Sequence, residues 1–229
     1  MRALALHPGV ADHRVWRPLQ EALGDRLALD APDHLGLPLD ALVPEEPCWV
    51  IGGSIGGRRA LELQALAPEK VLGLALIAPS VGADDPPLEP TEQALADAIE
   101  AAEATGDLDE VNRLEAHLWL DGPSAREGRV TGAPRELFLD MNGRLLREGA
   151  ADPPRAPLPD PATLVLPVLV LVGDLDVRHW QRLAAGLADA APGGKLLTVK
   201  GTAHLPMLER PGQVAATIGH LLDAVHDPR

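Results

Sequence analysis

Six short apolar runs alternate with segments of helical spacing along the 229 residues. They are ALAL (3–6), RLALD (26–30), CWVIG (48–52), VLGLALIA (71–78), PVLVLVG (167–173) and KLLTVKG (195–201). Near-continuous apolarity, rather than strict alternation, marks strands covered on both faces, which is the condition of a parallel sheet. Between the runs, RVWRPLQEALG, GGRRALELQALAPEK, RHWQRLAAGLADA and PGQVAATIGHLLDAV place apolar residues on one helical face. This alternation predicts an α/β fold with a mostly parallel sheet flanked by helices.

The alternation breaks between the fourth and fifth runs. PTEQALADAIEAAEATG, DLDEVNRLEAHLWLDGP and PRELFLDMNGRLLREGA are helical without an intervening strand, and a proline-rich stretch, ADPPRAPLPDPATLVLP, follows them. The expected organisation is a core of residues 1–81 and 161–229. Residues 82–160 form an all-helical cap with a stiff Pro-rich connector.

Around Ser54 the chain reads GGSIGG, directly after an apolar run and before a helical one. Strand, G-x-S-x-G, helix is the pattern of a nucleophile elbow, Gly52-Gly53-Ser54-Ile55-Gly56. A sharp turn there strains the serine and leaves no room for neighbouring side chains, so Gly52 and Gly56 are small for steric reasons. Gly57 would let the helix approach a strand. A Rossmann loop would need glycine at Ser54, and a P-loop would need Gly-Lys-Ser/Thr; neither is present.

A serine hydroxyl needs a base, and the base needs an orienting acid. LVGDLDVRHW supplies Asp174 and Asp176 just past the fifth run. Asp176 is the choice, since the turn carries the later residue over the sheet's carboxyl edge; Asp174 is the alternative, and both could merely cap the next helix. In TVKGTAHLPMLERP, His204 follows the last run and suits a general base. Backbone donors for an oxyanion are expected from Ile55 and from Gly9 or Val10 in LHPGVADHRVW. His7 reads as a brace for that loop. His13, His34, His117, His179, His220 and His226 read as solvated or packed, and Arg58 and Arg59 as surface or salt-bridged.

Together these segments resemble the α/β-hydrolase superfamily over nearly the whole chain. LHPGVADHRVW is similar to its oxyanion loop, LALDAPDHLG to its D-x-x-G-x-G loop, GGSIGGRRALE to its elbow, LVGDLD to its acid turn and HLPMLERP to its histidine loop. GDLDEVNRLEAHLWLDGP resembles the cap of a group related to esterases and 3-oxoadipate enol-lactone hydrolases. The resemblance implies a cofactor-independent serine hydrolase of a small ester or lactone, with Ser54, His204 and Asp176 as its triad. Pro8 departs from the family's usual glycine. The family's N-terminal hairpin is missing, so a reduced sheet of parallel strands is expected. Carbon–carbon bond hydrolysis or cofactor-free peroxidase chemistry would use the same elbow, and a non-catalytic ligand-binding protein is a further alternative. Trp119, Leu118, Phe138 and Leu205 are the candidate pocket residues, and no metal is expected.

Composition narrows the partners. A net charge of −14 repels phosphate backbones and anionic lipid, which argues against nucleic-acid or membrane binding. One cysteine, Cys48, excludes an internal disulfide. No secretory pattern or membrane-length apolar run is seen, so a cytoplasmic location is expected.

Overall fold

The computed structural model describes residues 1–81, 88–149 and 155–226, the side chains of 225 and 226 excepted. Residues 82–87 and 150–154 of the expected cap and connector, and the side chain of His226, lie outside that set.

The strands are β1 (Arg2–Leu6), β2 (Ala28–Asp30), β3 (Cys48–Gly53), β4 (Val71–Ile77), β5 (Val168–Gly173) and β6 (Lys195–Val199). All pairings are parallel, in the order β2-β1-β3-β4-β5-β6, with no antiparallel hairpin in the sheet among the described residues. The helices are α1 (Arg17–Leu23), α2 (Ile55–Leu66), α3 (Pro90–Thr105), α4 (Leu108–Glu115), α5 (Ala133–Glu148), α6 (Arg178–Ala190), α7 (Pro206–Glu209) and α8 (Pro211–His226). No helix among the described residues is long and apolar enough to cross a membrane.

The strand runs divide by parity between the two faces of the sheet. Ala3, Ala5, Trp49, Ile51, Ala75, Ile77, Leu169 and Leu171 join one core with residues of α1 and α8. Leu4, Leu6, Val50, Leu74, Leu76, Val168, Val170 and Val172 join the other with residues of α2 and α6. Continuous apolarity was thus needed because neighbouring residues enter opposite cores.

Helices α3 to α5 lie between β4 and β5 in the chain. Leu95, Ala102, Val111, Leu114 and Leu118 form a cluster of their own, which also takes in Val177 beyond β5. The helical insertion is not confined to that cluster. Ala116, Leu120, Phe138 and Met141 belong to the same core as Trp16, Ile77 and Leu205. Ion pairs reinforce the contact: the buried Asp12 carboxylate is met by Arg14 at 2.8 Å and by Arg144 of α5 at 3.1 Å. Arg14 also reaches Asp140 at 2.6 Å.

After α4 the chain widens into a π-helical turn over Ala116–Asp121, closed by a bond from the Gly122 N–H to the His117 carbonyl at 2.9 Å. The sequence reads as an uninterrupted helix here. Packing explains the glycine that ends the turn, since a Cβ on Gly122 would stand 2.5 Å from the Leu175 carbonyl. The turn is pressed against the loop after β5. Because Phe138 is wholly buried in the shared core, Phe138→Ala should destabilise the whole molecule by about 3–5 kcal/mol, as urea unfolding followed by circular dichroism would read.

Candidate active site

Strand order reverses direction between β1 and β3, so the loops leaving these two strands diverge to opposite sides and open a crevice at their carboxyl ends. Ligands bind at such switch points in open α/β sheets. Ser54 stands there, between β3 and α2, with φ 50° and ψ −117°. A non-glycine residue in this region carries strain of about 1–3 kcal/mol.

Backbone approach explains the glycines. A Cβ on Gly52 would lie 2.4 Å from the Gly56 carbonyl, and one on Gly56 would lie 2.1 Å from the Leu6 carbonyl of β1. The close helix–strand approach expected of Gly57 is tightest at Gly56. A Cβ on Gly57 would lie 2.8 Å from Pro79, just past β4, and 3.2 Å from the Gly52 carbonyl of β3. The elbow is tied to β4: the Ser54 N–H donates to the Ile77 carbonyl at 2.9 Å, and the Ser80 N–H donates to the Ser54 carbonyl at 3.0 Å.

Ser54 and His204 line one cavity of about 210 Å³. Behind His204 lies the buried Asp176. The Nδ1–H donates to its carboxylate, 2.9 Å from Oδ2 and 3.1 Å from Oδ1. This fixes the tautomer and leaves Nε2 as the basic atom of the neutral ring. Asp176 Oδ1 also accepts the Val177 N–H at 2.8 Å. Asp174 does something else: it accepts the Gly201 N–H at 2.7 Å and faces Lys200 at 3.6 Å, bracing the loop after β6.

Gly9, Val10 and Ile55 line the same cavity. Ile55 opens α2, so its N–H has no partner within the helix. A bond from the Ala11 N–H to the Pro8 carbonyl at 3.2 Å closes a turn over Gly9 and Val10. His7 braces that turn, donating Nδ1–H to the Pro8 carbonyl at 2.9 Å. His34 in turn donates Nε2–H to the His7 carbonyl at 2.9 Å. The two rings pack at 4.3 Å. Burial pushes the pKa of His7 down and that of His34 down to about 3, so the pair stays neutral.

Of the four expected pocket residues, Trp119 lines this cavity, its ring 4.9 Å from that of His204. Leu118 is buried among the insertion's helices, and Phe138 and Leu205 are buried in the shared core. Helical spacing locates an apolar face but does not say whether it meets a core or a hollow. Trp180, Leu35, Ser80 and Arg155 line the cavity without having been singled out in the sequence. Trp180 also packs on His204, ring to ring at 5.3 Å. Arg58 pairs with Glu62 at 2.9 Å, whereas Arg59 is not a surface residue: it is buried and donates to the Leu37 carbonyl at 2.8 Å.

Asp12, His13 and Asp33 bring three potential ligand atoms within 4.8 Å of one another. Asp12 is already neutralised by Arg14 and Arg144, which leaves it a poor metal ligand.

The sequence pattern of the Alpha/beta hydrolase family matches residues 3–217. The chain belongs to this family. It is an enzyme of the alpha/beta hydrolase fold. A pimeloyl-[acyl-carrier protein] methyl ester esterase of Stenotrophomonas maltophilia is 32% identical over 96% of this chain and 92% of its own. Among solved structures, a thermophilic esterase from Thermogutta terrifontis, with malate bound, superposes with a TM-score of 0.74 at 21% identity, covering 99% of this chain and 91% of that one. An N-acyl homoserine lactone degrading enzyme gives 0.69 at 18% identity, over 96% and 92%.

In this hydrolase the histidine loop carries a further buried acid, Glu209. Burial pushes its carboxyl up to about 7, against the pull of Arg129 and of the Ala203 N–H. A carboxyl raised on folding binds more protons in the native state than in the unfolded one, so stability falls as pH rises from about 4.5 towards 7. Glu209→Gln should remove that one-proton slope, measured as a smaller difference in unfolding free energy between the two ends of this window. Strain at Ser54 gives a second expectation. Ser54→Gly relieves the positive φ at a cost of about 0.5–1 kcal/mol in chain entropy, so a rise of about 1 kcal/mol in stability is expected by denaturant titration.

Proposed function

We propose that the chain is a serine esterase that cleaves a small carboxylic ester through an acyl-enzyme. In this reading Ser54 is the nucleophile, His204 the general base and then acid, and Asp176 the carboxylate that orients His204. One observation carries it: a histidine clamped through Nδ1 by a buried carboxylate shares a small cavity with a serine on a strained elbow.

The chemistry follows from those atoms. Ser54 Oγ forms a bond to the ester carbonyl carbon while its proton passes to His204 Nε2. The imidazolium is stabilised by Asp176. The carbonyl oxygen gains the negative charge, and the Ile55 N–H with that of Gly9 or Val10 is its receiving pair. Collapse breaks the bond to the alkoxy group, which leaves as an alcohol with the proton from His204. A water, deprotonated by the same nitrogen, then releases the acid. Every step is proton or acyl transfer, so none calls for a cofactor.

The size of the cavity supports small groups beside the ester carbonyl. A cavity of about 210 Å³ walled by Trp119, Trp180, Leu35 and Val10 suits short or slender groups next to the ester. The relative from Stenotrophomonas maltophilia is named for the methyl ester of a pimeloyl group on an acyl-carrier protein, which supports a small alcohol part and leaves the acyl part open. Lactones are esters whose alcohol stays tethered after ring opening, and they belong to the same chemistry. The helical insertion acts as the cap of the site, since it supplies Trp119.

A fluorophosphonate, mapped by intact mass and peptide analysis, should leave one adduct, on Ser54. Asp176→Asn should lower kcat on the order of 10⁴-fold on an ester panel, while Asp174→Asn should mainly lower the melting midpoint. An unlabelled, folded protein would count against the esterase and in favour of a ligand-binding protein.

A further inference from the structure

The motif HLPMLERP carries near its end a glutamate that the ester chemistry does not use, yet Glu209 is 3% exposed and lies one short turn from His204. Its Oε1 accepts the Ala203 N–H at 2.8 Å. Its other oxygen pairs with Arg129, which comes from the loop between the π-turn and α5. Arg129 spends the rest of its guanidinium on main-chain carbonyls. Nε donates to Asp121 at 2.7 Å, Nη2 to Leu120 at 2.7 Å and Nη1 to Gly201 at 2.8 Å. One side chain thus grips two carbonyls of the helical insertion and, on the other side, a carbonyl and a carboxylate of the histidine loop.

The loop that presents Arg129 is itself built for the task. Asp121, wholly buried, accepts the Gly128 N–H at 2.7 Å and the Val130 N–H at 2.8 Å, and its charge is met by Arg135 at 2.7 Å. Residue 129 is therefore held by its two neighbours. A second tie runs beside the first: the His204 N–H donates to the Trp119 carbonyl, in the π-turn, at 3.1 Å. Residues 201, 203 and 204 each have a main-chain group bonded to Arg129, Glu209 or the insertion.

We propose that Glu209 and Arg129 are positioning residues, a clamp that sets the place of His204 by locking residues 201–204 to the helical insertion. This rests on the reading of His204 as the general base. A misplacement of about 1 Å at a reacting group costs about 10²-fold in rate, so even a small shift of the loop after losing the ties at Ala203 and Gly201 would be felt at His204. The clamp also makes the insertion and the base move as one body, so the cavity is fully competent only when the insertion is seated.

The test compares folded variants on one ester, with melting midpoint and fluorophosphonate labelling rate followed in parallel. Glu209→Ala loses both bonds, and kcat and the labelling rate should fall about 10²-fold while KM moves less than about threefold. Glu209→Gln keeps an acceptor for the Ala203 N–H and should recover to within about tenfold of the original chain. A purely structural role would lower the melting midpoint in both variants without this split, and wild-type kcat in a folded Glu209→Ala would overturn the clamp. If Glu209→Ala does not fold, Arg129→Lys decides: it keeps the charge but loses the forked grip, and kcat should drop about tenfold at unchanged KM, whereas wild-type kcat overturns the proposal. His204→Ala separates the two readings. Retained activity there would remove the general base and the clamp together. An inactive His204→Ala beside an active Glu209→Ala would remove the clamp alone.

Discussion

The fold turns on a place where backbone touches backbone. At the start of α2 the Cα of Gly56 lies so near the last carbonyl of β1 that no side chain can stand between them. That approach draws α2 tight against the β1–β3 pair and forces Ser54 into its strained conformation. It also brings the loop after β1 beside the first turn of α2. The cavity is a by-product of this tight corner.

A second layer of organisation concerns the helical insertion. It shares a core with the sheet through Phe138 and Met141, encloses Val177 in its own cluster, and reaches the histidine loop through Arg129. Its contacts fall on the loops that carry Asp176 and His204 and, through Asp140 and Arg144, on Arg14 and Asp12 after β1. Apolar burial attaches it, and the buried, partnered carboxyl groups of Asp12, Asp121 and Glu209 fix its orientation, because each would be costly unpaired.

Much of the strand layout was legible because a buried parallel strand must be apolar on both sides, and a run such as ALAL at 3–6 or VLVLV at 168–172 has no other use in a chain this polar elsewhere. The serine elbow was legible for a steric reason, since only glycines tolerate the spacing at 52 and 56. Asp176 could be preferred over Asp174 from its place in the turn, and the geometry around His204 is compatible with that preference. What could not be read was direction. Leu118, Trp119 and Leu120 are consecutive, yet one enters the insertion's cluster, one faces the cavity and one enters the main core. A π-turn over these residues shifts their phase away from that of a regular helix. Trp180, about one helical turn past Asp176, gave no local signal, because its partner ring belongs to His204, beyond the next strand. Nothing in its own neighbourhood marks Arg129, whose four partners lie at Leu120, Asp121, Gly201 and Glu209.

The chain has four tryptophans and no tyrosine. Trp16 and Trp49 are sealed in the core, while Trp119 and Trp180 both pack on the His204 ring. An imidazolium quenches a neighbouring indole more strongly than a neutral imidazole does. The ultraviolet emission of this protein therefore carries a signal from the histidines these two indoles pack on, His204 for both and His179 as well for Trp180, while the two sealed ones serve as an internal reference.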